Sequence, residues 1–322
     1  MKHVKPKDAG NCAESDMEAI APLLNFESEL DSLQVGELHL TKLTDQDRRG
    51  LNDMLAFIGS RYGIPTQLTA KFKLSRSYPK QADEPHSIPK SVVLAARQAI
   101  WALRLLKPGS VGTDYMFEIT ARPDGATMLL AAPLQDCGSP SFGGYAYRLL
   151  GKEAGTLAIL LDRLKAAQER QQASGLDIAL SRFNQSYSRS RGEDRIIDLT
   201  IALESSLLAD LGDEYKYRLA LRGAALSQLD ADPVQTSSFL KTLYDVRSKI
   251  VHSGKTLQDR EIVRMLAKLE PPSTSAMFPE QCEAMVRKII VTYLEETGAN
   301  QTVKEINEKL ENRILQGLKA EE

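Results

Sequence analysis

The sequence predicts an α+β N-terminal domain followed by an all-α helical bundle. Two observations carry that expectation. Up to about Gly151, apolar residues alternate in short runs broken by Gly, Pro and Asp, with two helical stretches between them. After Gly151 the alternation stops and apolar residues recur every three or four positions. Strand-bearing and purely helical stretches segregated along the chain make an α+β layer arrangement joined to a bundle.

The elements follow in order. Residues 1–30 read as a polar, poorly ordered leading segment, 31–150 as an α+β sensor or regulatory domain, and 151–322 as a helical domain with C-terminal helices. Val35, Leu38 and Leu40 alternate and predict a short strand. Thr44 to Asp47 predicts a capped helix start leading into Leu51, Leu55 and Ile58, with Gly63 and Pro65 as the stop. Leu68 to Leu74 predicts a strand, Tyr78 to Pro89 a loop, and Val92 to Leu106 a helix closed by Lys107, Pro108 and Gly109. Two apolar runs, Tyr115–Thr120 and Ala126–Ala132, flank the turn Arg122–Gly125 and predict a hairpin.

Beyond Gly151 the helices are expected at Lys152–Gln172, Leu176–Tyr187, Asp194–Ala209, Tyr215–Leu229, Asp232–His252, Cys282–Glu296 and Val303–Leu318. Ser190 with Glu193, and Thr302 with Glu305, have the spacing of capping boxes. Gly212 is read as the stop of the third of these helices. Asp232 precedes a proline at the first helical position, where a missing N–H costs nothing, and Ser253–Gly254 ends that helix.

Composition excludes several classes. Forty-one basic against 43 acidic side chains give a net charge of −2, too little positive field for a binder that coats nucleic acid. The three cysteines, Cys12, Cys137 and Cys282, are far apart and make neither a disulfide framework nor a metal knuckle. His3, His39, His86 and His252 are scattered, so no metal site and no cofactor is expected. The most apolar run, Ser91 to Leu106, is interrupted by Arg97 and Arg104 and is too short for a membrane span of about 20 residues. The basic start has no apolar run behind it, so a cytoplasmic protein without membrane contact is expected. Gly109–Gly112 and Gly143–Gly144 lack the strand, helix and lysine of a phosphate loop and read as turns.

The segment Leu243–Gly254 carries the most chemistry. Phe239, Leu243, Val246 and Ile250 form a helical core stripe. At about 100° per residue, Asp245, Ser248 and His252 fall on the opposite side, and Arg247 lies at the edge of the stripe beside Tyr244 and Val251. His252 sits in the last turn, where the helix dipole favours the protonated ring. A guanidinium and an outward imidazole suit work on phosphate, although spacing alone fits a dipole-stabilised helix end.

The surrounding residues add a resemblance. Ser181–Tyr187, Arg195–Glu204, Tyr217–Ala224 and Tyr244–His252, four blocks on four consecutive expected helices, resemble the HEPN superfamily, closest to its Apea-like branch. The likeness covers roughly residues 175–255, and its signature is an arginine, four to six residues, then a histidine. A looser likeness at Ala102–Gly109 extends to the N-terminal region.

The resemblance implies a HEPN-type bundle of four or five helices that forms a homodimer through the Arg247–His252 helix. It also implies a metal-independent endoribonuclease that acts in phage defence or as a toxin, with RNA as substrate and an antitoxin or phage-derived trigger as possible partner. Arg247 and His252 would be the catalytic pair, shared between protomers. Ser248 stands where many members carry Asn, Asp or His. The alternative reading is a non-catalytic HEPN module that binds a nucleotide, RNA or a partner protein.

Supporting candidates are Ser248, Glu204, Asp245 and Tyr244. Glu204 shares a stripe with Ile197, Ile201 and Leu208, and a shielded carboxylate wants a partner. Arg222 and Arg247 are both candidates for that partner, as structural pair or as site. Arg189, Arg191, Arg195 and Lys249 are candidates for guiding RNA, although a solvated helix entrance explains the arginines equally well. Residues 175–255 carry 11 basic and 11 acidic side chains, which favours a short or structured RNA over general coating.

Overall fold

The fold is that of a computed structural model, which describes residues 15–62, 69–80, 87–122, 125–138, 145–169, 174–209, 214–227, 232–296 and 305–312. The first half forms β1 (Ser15–Leu23), β2 (Phe26–Ser28), β3 (Ser32–Val35), β4 (Leu38–Lys42), α1 (Asp45–Tyr62), β5 (Phe72–Lys80), α2 (Lys90–Leu106), β6 (Tyr115–Arg122), β7 (Gly125–Pro133) and β8 (Tyr147–Leu149). Six strands make one antiparallel sheet in the order β3-β4-β5-β1-β6-β7, and β2 pairs with β8 in parallel.

The central strand lies where the sequence predicts a polar leader. Met17, Ala19, Ala21 and Leu23 of β1 face one side and Ile20 the other, all buried. A strand covered on both faces shows no apolar–polar alternation, and its alanines and Pro22 give no β signal. The strand expected around Val35–Leu40 is instead the β3–β4 hairpin, turned at Gly36 with φ +61°. The expected loop at Tyr78 begins as strand, since β5 runs on to Lys80. Pro79 fits there because β4 leaves β5 after Ser75, so its missing N–H faces no partner strand.

The first face of the sheet, with Leu40, Leu74 and Met116, packs on Ala96, Ile100 and Leu103 of α2 in the main core. The other face is smaller. There Leu51 and Leu55 of α1 cover Leu43, Ala70 and Phe117. Thr44 caps α1 as expected: its Oγ1 accepts from Asp47 N–H at 3.1 Å, and Asp47 accepts from Thr44 N–H at 2.8 Å.

The second half forms α3 (Ala154–Glu169), α4 (Ser174–Gln185), α5 (Gly192–Leu207), α6 (Tyr215–Ser227), α7 (Pro233–Ser253), α8 (Arg260–Leu266) and α9 (Phe278–Glu296), and residues 305–312 are helical. α8 is not anticipated by the sequence pattern; it buries Ile262 and Leu266 in the main core. Gly212, Thr302 and residues 313–318 of the last expected helix lie outside the described residues. The capping box at Ser190 does not form. The helix starts at Gly192, one residue too late for that spacing, and Glu193 accepts from Leu257 N–H at 3.0 Å instead.

One core runs across residue 150. Leu157, Leu160, Leu161 and Leu164 of α3 join the sheet's cluster, each fully buried leucine contributing about 1.5–3 kcal/mol. Arg104 fastens the junction. Fully buried, it donates to the carbonyls of Val111 (2.9 Å), Asp136 (3.1 Å), Cys137 (3.1 Å), Gly138 (2.7 Å) and Asn184 (3.3 Å) and lies 4.3 Å from the centre of the Tyr187 ring. Arg287 of α9 donates back to the Arg104 carbonyl at 2.8 Å.

Candidate functional site

The site candidates ride on α7, whose ends are set locally. Asp232 accepts from Val234 N–H at 2.8 Å, Pro233 occupies the first turn, and Gly254 stops the helix at φ +60°. Thr236, Leu240, Leu243, Val246 and Ile250 form the buried stripe. Phe239, expected within it, lies at the edge with its ring 5.5 Å from that of Phe278.

Arg247 sits in the seam between α7 and α5. Its side chain is 21% exposed and faces Glu204, 25% exposed, at 3.7 Å. That is an ion pair without a hydrogen bond. The Arg247 Nε is buried and has no hydrogen-bond partner. Burial pushes the Glu204 carboxyl above the ordinary carboxylate range, with Arg247 opposing. Of the two partners the sequence allows for Glu204, the structure selects Arg247. Arg222 is taken by Glu311 at 2.8 Å and by the Leu207 carbonyl.

His252 is exposed in the last turn of α7. Five residues along a helix correspond to about 7.5 Å of rise and ~140° of rotation, so His252 and Arg247 do not share a face within one chain. Ser248 and Tyr244 are half-buried rather than outward, and Tyr244 packs on the core. Asp245 is half-buried too and accepts from Lys216 of α6 at 2.6 Å.

The cations expected to guide RNA are largely committed. Arg189 donates to buried Asp198 at 2.6 Å, and Arg182 reaches the same carboxylate at 3.1 Å. Arg195 is paired with Glu283 at 2.7 Å, and Lys249 with Glu261. Arg191, 64% exposed and 3.7 Å from Glu193, is the loosely held member of the four. The structure thus corrects the free basic entrance expected from Arg189, Arg195 and Lys249. Their partners lie 9, 88 and 12 residues away in sequence.

Sequence reasoning did not single out Asp198, Glu283 or Arg287. Tyr187 donates to Glu283 at 2.7 Å, and Glu283 also pairs with Arg287, so these residues form a buried polar cluster between α5, α9 and the turn after α4. The available signal was a charged residue inside an apolar helical stripe, as at Asp198 between Ile197 and Leu199. No helix of the described residues is long and apolar enough to cross a membrane. No family model, curated protein or solved structure matches this chain.

Proposed function

We propose that the chain is an endoribonuclease of HEPN type that cleaves RNA without a bound metal, acting as a dimer through α7. The observation that carries this reading is the state of Arg247. It is held half-buried at a helix seam and kept charged beside Glu204, yet it has a free Nε and no close hydrogen bond. A phosphate can replace so loose a carboxylate contact with a bidentate one. The other basic candidates except Arg191 are saturated by carboxylates.

In the proposed reaction the RNA 2′-OH attacks its own phosphorus. The 2′-oxygen–phosphorus bond forms, the bond to the 5′-oxygen breaks, and the products are a 2′,3′-cyclic phosphate and a 5′-OH. Arg247 stabilises the charge that builds on the phosphorane oxygens, a role worth ~3–4 kcal/mol in comparable donors. His252 takes the proton from the 2′-OH, a contribution of ~10²–10⁴-fold. The leaving oxygen needs an acid. With Arg247 and His252 on different faces of one helix, a second copy supplies the missing histidine. The sheet domain then restrains or triggers the nuclease, and phage defence or toxin action is the biological setting the reading implies.

The test is cleavage of total tRNA and mRNA with EDTA present, with wild type beside Arg247→Ala and His252→Ala. Cutting by wild type alone, leaving cyclic-phosphate ends, is expected. A 3′-OH product, or equal cutting by all three, rejects the assignment. The same ~140° separation favours a second reading, a module that holds phosphate without cutting. That reading predicts RNA binding lost in Arg247→Ala with no cleavage by any chain.

A further inference from the structure

Two arginines interrupt the apolar run of α2, and the structure treats them oppositely. Arg104 uses every guanidinium nitrogen on a protein acceptor. Arg97, two turns earlier, uses none on a protein acceptor among the described residues. Its guanidinium lies 4.8 Å over the centre of the Trp101 ring, and its Nε is buried without a partner. Trp101 is 1% exposed, and its Nε1 is likewise buried without an acceptor.

Two side-chain donors therefore stand side by side, one turn apart on a rigid helix, with nothing to accept from them. A buried N–H left unsatisfied costs about 1–3 kcal/mol. Neighbouring main-chain acceptors are already taken: the Cys137 carbonyl receives Thr113 N–H at 2.8 Å and Arg104 at 3.1 Å. Burial pushes the Cys137 thiol up to about 12, with Arg104 and Arg97 opposing, so Arg97 acts on the loop around Cys137. Arg97 as a whole is half-buried, which leaves solvent a way to its guanidinium.

We propose that Arg97 and Trp101 form a binding site for the phosphate group of a small phosphorylated ligand on the α2 flank. The guanidinium offers a planar fork to two oxygens and the indole N–H reaches a third, a set that matches phosphate better than carboxylate. The site is independent of Arg247 and His252 and stands or falls without the ribonuclease reading. Arg104 fastens the same helix to Asn184 and to the Tyr187 ring, so a ligand here touches the joint between sheet and bundle.

Trp101 is the single tryptophan of the chain, so intrinsic emission reports this place alone. The full-length protein is titrated with inorganic phosphate and, separately, with acetate, each against chloride at matched ionic strength. A saturable change in emission with phosphate, together with a raised melting midpoint, is expected. Arg97→Gln should weaken it at least tenfold and Arg97→Lys by less. No saturable change with phosphate, an equal response in a folded Arg97→Gln chain, or saturation by acetate alone each overturns the proposal. The wild-type titration decides the matter even if Arg97→Gln does not fold.

Discussion

Replacing Gly175 by alanine presses directly on the helix that carries Glu204. Gly175 lies in the first turn of α4. A Cβ built there comes 2.5 Å from the carbonyl oxygen of Ser205 in α5 and 3.3 Å from the Ala209 Cβ. The obstacle is main chain, so no side chain can swing away and the two helices must part by several tenths of an ångström. Overpacking of this kind costs about 1–3 kcal/mol. Against it stands the helix-propensity gain of alanine over glycine, at most about 1 kcal/mol. Gly155 in α3 is the matched control, because a Cβ there meets nothing within 4 Å. Gly155→Ala should raise stability by about 0.5–1 kcal/mol and Gly175→Ala should lower it by up to ~2 kcal/mol. Urea midpoints of the two variants and wild type, taken with unchanged slopes, measure both. If Gly175→Ala proves as stable as Gly155→Ala, the close approach of α4 and α5 is not as described. The same variant moves Ser205, the residue after Glu204, so phosphate contacts at Arg247 should weaken with it.

Three further outcomes are expected. Asp232→Ala removes the only side-chain acceptor given for the first turn of α7 and should cost about 1 kcal/mol in urea unfolding, whereas Asp232→Asn should cost little. Because the Glu204 carboxyl is raised in the fold, its contribution is fully present below its unfolded pKa and is lost as pH rises through the folded value. Glu204→Gln should therefore gain on wild type at pH 7 and lose that advantage near pH 4; the opposite trend in urea midpoints would mean that attraction to Arg247 outweighs burial. Cys137 and Cys282 are buried and both thiols are pushed up, so a Cys12→Ser chain should show no fast reaction with a disulfide reagent until it is denatured.

What the sequence makes legible is local. α7 can be read from end to end because Asp232, Pro233 and Gly254 fix its boundaries through neighbours in the chain. Arg247 at the edge of the core stripe follows from helical spacing, and its half-burial agrees. β1 is illegible for a physical reason: burial on both faces erases the alternation that marks a strand. Ion pairs are illegible for another. Arg195 meets Glu283, and Arg222 meets Glu311, only after helices far apart in sequence have packed. Glu204 shows the boundary between the two cases, since spacing shields it but cannot choose between Arg222 and Arg247. Ser190 shows how little error is needed, because a helix start displaced by one residue dissolves a capping box.

The fastening at Arg104 has a bearing on how such a chain can change over time. Nearly all of its partners are main-chain oxygens, which every amino acid supplies. The loop residues it holds can drift while the arginine cannot. Lysine, with one nitrogen, cannot span carbonyls from Val111, Cys137 and Asn184 at once. With the core continuous across residue 150, the sheet and the bundle are inherited as a single piece. A recombination that kept the helices but exchanged the sheet would have to bring its own arginine and its own cover for Leu157 and Leu161.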